Sequence, residues 1–487
     1  MTLLPKVVRL TALLGILCLL PLLAGQIISA QTGVVAGSGV ASPSALNYTY
    51  LPLVLRNSVP ETGRLCRFGV GAPSDIARFP VNDLRIGWYV DWGASQYPSR
   101  PGGIQYLQMV HLEQTGPDSY TSVPKGSDLL AIIAAHPGSQ WVIGNEPDRR
   151  LVQDDVVPHV YALAYHELYT QIKTADPTAR IVAGSIVQPT SLRLRYLDMI
   201  LDDYYTRYGQ QMPVDAWNIH AFILNEASCT YVPDDCWGAD IPPGMDDREG
   251  MRIGVEDNDN INIFKQFIVD FRQWMANRGY QDRPLIITEY GVLMPQDFGY
   301  DFDRVNRYMT ATFDYLSTAV GPTGLAADKG RLVQAWAWYS LTDRTFNGWL
   351  YDAQTGARTP YGDNFVAYTS AIAPAVNLTP VKLWAERGAG QTVKLVAQVA
   401  NNGNIAASSA IHIRFYDGDP ANGGSQIGPD QFLTAIDGCA NTKQVTLTWS
   451  DAPAGMSTVW VVVDPLNMIA ESDESDNRLA ATISVGP

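Results

Sequence analysis

The chain has 487 residues, 46% of them hydrophobic and 17% charged, with 34 basic against 49 acidic side chains and a formal net charge of −15. This balance excludes a disordered chain and argues against nucleic acid and anionic membrane partners, whose recognition needs a concentrated positive field. The length predicts two to three domains.

Lys6 and Arg9 precede an uncharged apolar run from Leu10 to Gly25, and the small residues Ser29 and Ala30 follow. This is the pattern of a secretory signal peptide over 1–30, cleaved near Ala30, and it predicts a secreted, extracellular protein. Pro21 and the shortness of the run argue against a membrane anchor, and no later segment reads as a membrane span. Cys18 lacks the small residues that precede a lipoprotein cysteine. Residues 31–63, rich in Gly, Ala, Ser, Val and Pro, read as a flexible linker.

From 64 to 375 short β-rich apolar runs alternate with longer helical patterns. Strands are predicted at 67–72, 84–90, 106–112, 140–145, 180–186, 214–220, 284–290 and 333–340, and helices at 155–177, 261–279 and 302–320. Strand and helix in succession imply a parallel sheet, and eight such units close into a (β/α)8 TIM barrel, an α/β fold. The first two units are the weakest, because no strong helix pattern separates their strands.

Export permits disulfides. Cys229 and Cys236 lie seven apart in a Pro/Asp-rich loop and read as a loop-stapling disulfide. Cys66 and Cys439 either join each other across a domain boundary or are each buried. With six histidines in the chain and no short Cys/His spacing, neither a metal nor a cofactor is expected. The segment 234–260 carries nine acids, fits no EF-hand spacing, and reads as a solvated insertion over the sixth strand's end.

A barrel places its chemistry at the C-terminal ends of its strands. Those ends carry Asn145 and Glu146 on the fourth strand, His220 on the sixth, Glu289 on the seventh, and Trp336 and Trp338 in the eighth. Two acids in otherwise apolar strands are costly unless paired or functional, and with aromatic rings beside them they suggest a sugar-cleaving site.

The segments WVIGNEPD (141–148) and LIITEYGV (285–292) resemble the two signatures of clan A retaining glycoside hydrolases. The resemblance covers most of 64–375 and implies that Glu146 is the general acid/base and Glu289 the nucleophile. It further implies that Asn145 bonds the sugar 2-hydroxyl, that His220 positions the nucleophile or the sugar, and that Trp338 is the platform under the cleaved sugar. Trp88 and Trp92 are candidates for further platforms. The expected carboxyl separation is about 5 to 5.5 Å, with Glu146 held protonated by a raised pKa. Two positions depart from the clan: Phe222 stands where many members have a Tyr, so that Tyr290 or another phenol would have to meet the nucleophile, and Arg85 lies at the wrong end of the second strand.

After 376 helical patterns stop, and alternating strands separated by Gly, Asn and Asp turns predict an immunoglobulin-like β-sandwich over 376–487. Its ending, VVVDPLNMIAESDESDNRLAATISV, and the VANNGN stretch at Asn401–Gly403 resemble the CARDB modules of bacterial cell-adhesion-related proteins. The chain therefore reads as a secreted retaining hydrolase of a β-linked glycan. The competing class is a non-catalytic carbohydrate-binding or adhesion protein on a barrel scaffold.

Overall fold

The computed structural model describes residues 65–387, 392–439 and 441–485, so the predicted signal peptide and linker lie outside the described residues. The apolar runs form β1 (Leu65–Gly71), β2 (Ile86–Val90), β3 (Gln105–Tyr106) and β4 (Gln108–Gly116), which extends into a hairpin with β5 (Ser119–Val123). There follow α1 (Gly126–Ala135), β6 (Gln140–Ile143), α2 (Pro158–Ala175), β7 (Arg180–Ile186), α3 (Ser191–Tyr208) and β8 (Ala216–His220). The series ends with α4 (Ile261–Asn277), β9 (Leu285–Tyr290), α5 (Phe302–Thr318), β10 (Val320–Leu325), β11 (Ala335–Trp338) and α6 (Pro360–Ser370).

The sheet runs β3-β2-β1-β11-β9-β8-β7-β6-β4-β5, and all pairings from β3 round to β4 are parallel. Leu107 alone separates β3 from β4, so these two segments act as one third strand that pairs with β2 at its start and with β6 further on. The sheet is thereby closed. Trp88, Met109, Val142, Val182, Ala216, Ile286 and Ala337 pack together in its interior, and a larger apolar layer joins its outer face to the helices. Only short 3-10 turns at Ile76–Arg78 and Val81–Leu84 separate β1 from β2, in line with the missing helix pattern there.

Local sequence explains the helix starts. Thr190, Asn260, Asp301 and Thr359 each cap a helix by accepting a backbone N–H from its first turn, and Pro158 and Pro360 occupy first-turn positions where no N–H is needed. Arg85, at the bottom of β2, donates to the carbonyls of Thr369 (2.5 Å) and Ile372 (2.8 Å) and so closes the end of α6.

The C-terminal region is all β: β12 (Leu378–Arg387), β13 (Val393–Asn401), β14 (Ile411–Asp417), β15 (Ser425–Leu433), β16 (Asn441–Trp449), β17 (Gly455–Val463) and β18 (Arg478–Val485). They form two antiparallel sheets, β12-β13-β16 and β15-β14-β17-β18. Their shared core of Leu395, Val399, Ile413, Phe415 and Val461 is entirely apolar. A disulfide joins Cys66 of β1 to Cys439 of this region, so the first of the two readings for that pair holds, and Lys329 pairs with Asp473 across the same junction. Cys229 and Cys236 form the expected loop disulfide. No helix among the described residues is long and apolar enough to cross a membrane.

Candidate active site

Glu146, His220 and Glu289 converge at the C-terminal mouth of the barrel, each less than a tenth exposed. Backbone irregularities aim them. Glu146 sits just past β6 with a left-handed φ of 43°, its N–H held by the Ser185 carbonyl at 3.0 Å. In β9 the register against both neighbours slips by one residue around Thr288: Ile219 and His220 of β8 face Ile287 and Glu289, and Trp336 and Trp338 of β11 face Ile287 and Tyr290. Such a bulge reverses the in–out alternation beyond it. Ile286 faces the interior, yet Glu289 also points inward and Tyr290 turns out against Phe264 of α4.

That bulge explains the first of two corrections; the second follows from the regular alternation of β11, whose Ala337 faces inward and whose Trp336 and Trp338 face out. Tyr290 is fully buried on the helix side, packed edge-on against Trp338, and does not meet the carboxylates. Trp338 lies in the same outer layer against Phe313 of α5, its indole N–H donating to the Gly348 carbonyl at 2.8 Å, so it is no sugar platform. Trp336 shares that outer layer, against Phe68. Trp88 is a third correction: it fills the barrel interior over Gly69, where an added Cβ would lie 2.5 Å from the ring. The aromatic residues at the mouth are instead Trp92 and Tyr339, in edge contact at 5.8 Å, and Tyr339 packs in turn on Phe222. The donor to Glu289 is an indole: Trp92 Nε1 lies 2.6 Å from its Oε1, whereas the Tyr339 hydroxyl donates to Asp343 at 2.6 Å.

His220 lies between the two acids, with Nδ1 2.8 Å from Glu146 Oε1 and Nε2 3.3 Å from Glu289 Oε1. Burial would discharge it, but the two carboxylates hold its pKa above the ordinary histidine value. Burial likewise pushes Glu289 up, and the charge of Glu146 adds to this, to about 7. For Glu146 burial is outweighed by the His220 hydrogen bond and by Arg149, 3.6 Å from Oε2, and its pKa falls below the ordinary value. Arg149 and His220 thus supply positive charge on the Glu146 side, which opposes the raised pKa expected there. Asn145, 2% exposed, donates through its side chain to Gln153 at 3.1 Å, while its Oδ1 has no partner among the described residues.

Glu146, His220 and Glu289 are also the one group of acids and histidines among the described residues whose ligating atoms lie close enough, within 4.8 Å, to hold a cation. The guanidinium beside Glu146 already places a fixed positive charge there, and the set fits an acid–base pair better than a cation site.

Beneath the loop after β6 lies a buried ionic network that the sequence pattern does not signal. Arg193 of α3 pairs with Asp148 and, at 2.8 Å, with Glu226, all three fully buried, and it donates to the carbonyls of Ala239 (2.6 Å) and Asp240 (2.9 Å). Arg150 donates to the carbonyls of Ile241, Pro242 and Met245. The 234–260 excursion is therefore docked on the fourth strand's loop through its backbone and through buried Trp237, Ile241 and Met245, while its acids are exposed or half-buried. Arg149, three residues after Glu146 and 3.6 Å from its carboxylate, is the one site cation that position alone could have brought out.

Residues 376–481 match the CARDB family model. No curated protein matches the chain. Among solved structures, the chain is similar to a GH128 (subgroup II) endo-β-1,3-glucanase from Sorangium cellulosum, at 16% identity over 62% of this chain and 98% of that one, with a TM-score of 0.38. It is similar to a monomeric β-xylosidase from Caulobacter crescentus at 13% identity over 79% and 95% of the two chains, with a TM-score of 0.40. The C-terminal region is similar to a CARDB domain from Pyrococcus furiosus, determined in complex with di-metal ions, at 21% identity over 23% and 88%, with a TM-score of 0.19.

Proposed function

We propose that the chain is a secreted glycoside hydrolase that cleaves β-glycosidic bonds in a polysaccharide or glycoside with retention of configuration. In this reading 64–375 is the catalytic barrel, and the module at 376–487 is a spacer or an attachment to cell surface or glycan. The observation that carries it is a pair of buried carboxyls, Glu146 and Glu289, with oxygens within 4.8 Å of each other at the mouth of a closed barrel. Retaining catalysis uses carboxyls about 5 to 5.5 Å apart, whereas inversion needs about 6.5 to 9.5 Å to admit a water between acid and sugar.

Glu289 attacks the anomeric carbon as the leaving oxygen takes a proton from Glu146, giving a glycosyl-enzyme. Glu146 then takes a proton from the water that displaces Glu289. His220 lies between the two acids, 2.8 Å from Glu146 and 3.3 Å from Glu289, and its charge acts on both. Trp92 and Tyr339 provide the aromatic walls for the sugar, and the free Oδ1 of Asn145 accepts from a sugar hydroxyl. Export accords with the two disulfides.

Glu289→Gln tests the reading on a panel of aryl β-glycosides and β-glucans: kcat should fall by roughly 10³-fold or more. A parent without turnover on the panel leaves the carbohydrate-binding reading in its place. Azide assigns the roles, since with Glu146→Ala it should yield a glycosyl azide of retained configuration and with Glu289→Ala one of inverted configuration. The pair holds a single proton from below the usual carboxylate range up to about 7, and catalysis needs that proton. Accordingly kcat/KM should fall as pH rises through about 7, and a profile flat from pH 6 to 9 contradicts the assignment.

A further inference from the structure

Trp92, whose indole holds Glu289, has a left-handed φ of 58°, a conformation that a non-glycine residue adopts rarely and only where its surroundings impose it. Its carbonyl lies 2.7 Å from His111 Nε2 on β4, and His111 Nδ1 lies 2.7 Å from Asp154 Oδ1. The second oxygen of Asp154 accepts the backbone N–H groups of Leu112 at 2.9 Å and of Asn145 at 2.8 Å. One buried carboxylate thus holds the backbone beside Glu146 and, through one imidazole, the residue that holds Glu289.

Resting on the hydrolase reading above, we propose that His111 is a positioning residue for the reaction: clamped between Asp154 and the Trp92 carbonyl, it fixes the indole on Glu289 in register with the strand end that carries Asn145 and Glu146. Both groups facing its ring nitrogens are acceptors, so both nitrogens must carry protons and the ring is an imidazolium. The charged groups facing it are Asp154, from the loop after β6, and Glu289, from β9. Burial opposes its charge, but Asp154 overrides this and holds the pKa up at about 9. The clamp therefore keeps its proton across the working range. It also places a positive charge on the Glu289 side of the site, opposite Arg149 on the Glu146 side.

His111→Gln removes the charge while leaving a polar side chain. The expected result is a kcat lower by roughly 10- to 100-fold with KM little changed, as for a displaced supporting group. The descending limb of kcat/KM should also move to higher pH, because Glu289 loses both a nearby positive charge and a well-placed indole. Since 32% of the His111 side chain is open to solvent, free imidazole should restore part of the kcat of His111→Ala. Asp154→Asn should change kcat in the same direction, and serves if the His111 variants fail to fold. A kcat and limb both unchanged in His111→Gln would overturn the proposal. So would ¹⁵N spectra of the histidine-labelled protein at pH 8 in which no charged ring disappears on going from the parent to His111→Gln. A parent without turnover defeats the hydrolase reading instead, and the same spectra still decide whether the clamp exists.

Discussion

The barrel mouth and the C-terminal sandwich handle charge in opposite ways. At the mouth, Glu146, Asp148, Arg193, His220, Glu226 and Glu289 are all buried. The sandwich keeps an apolar core, and its ion pairs stay at the surface, as with Lys394 and Glu386, each side chain about half exposed. Two charges withdrawn from water lose solvation that their attraction only partly returns, so buried ionic groups persist where geometry pairs them closely or chemistry needs them. Among the described residues the sandwich buries a single acid, Asp464, which accepts the Ile469 backbone N–H at 2.7 Å. The mouth instead holds two ionic clusters side by side, one that can move protons and one, around Arg193, that fixes the loops carrying them.

Removing Arg193 should expose that difference most sharply. In Arg193→Met, Asp148 and Glu226 remain buried without their cation, which costs about 3 to 5 kcal/mol, a large part of a domain's stability. Denaturant unfolding followed by tryptophan fluorescence measures the loss. A change under 1 kcal/mol would mean that water reaches the two acids and that the network is not the clasp for the 234–260 excursion.

The contrast also decides what could be read in advance. Parallel barrel strands are short apolar runs, so 180–186 and 284–290 stand out against helices with 3.6-residue spacing, and the strand ends named Glu146, His220 and Glu289. Side-chain direction was harder, because a one-residue bulge at Thr288 leaves no mark in composition, yet it sends Tyr290 into the helix layer, where Trp338 also lies, and the aromatic rings at the mouth are Trp92 and Tyr339. Arg193 pairs with Asp148 and Glu226, and His111 with Asp154, across more than 30 residues of chain, which no local pattern reports. In the sandwich, five strands were legible from alternation. The two unpredicted ones, β12 and β15, are edge strands carrying Pro380 and Gly428–Pro429, residues that ordinarily mark turns and that an edge tolerates because its outer N–H groups need no partner.

The junction tests whether the two regions unfold together. Cys66 and Cys439 close a loop spanning 373 residues of sequence, and such a link stabilises mainly by restricting the unfolded chain. Cys66→Ser should cost about 2 to 4 kcal/mol in unfolding and leave kcat unchanged, because the site is built wholly from barrel elements. A drop in kcat would show that the sandwich supports the mouth. Two separate thermal transitions in the variant, against one in the parent, would show that the disulfide joins their unfolding.

The smallest effect is expected on the sandwich surface. Asp430 accepts from Arg414 Nε at 2.8 Å and from its Nη2 at 3.1 Å, and these bonds, set against modest burial, hold the acid down at about 2. A depressed carboxylate contributes stability that is present above its unfolded value, about 3.9, and is lost as pH falls through about 2. Both side chains are about a fifth exposed, so solvent screens the pair, and Asp430→Asn should cost only about 0.2 to 1 kcal/mol at pH 7 and clearly less at pH 2. Thermal unfolding of the variant at the two pH values checks this. A loss near that of Arg193→Met would place charge on the same structural footing in both regions and remove the distinction on which the site at the barrel mouth was recognised.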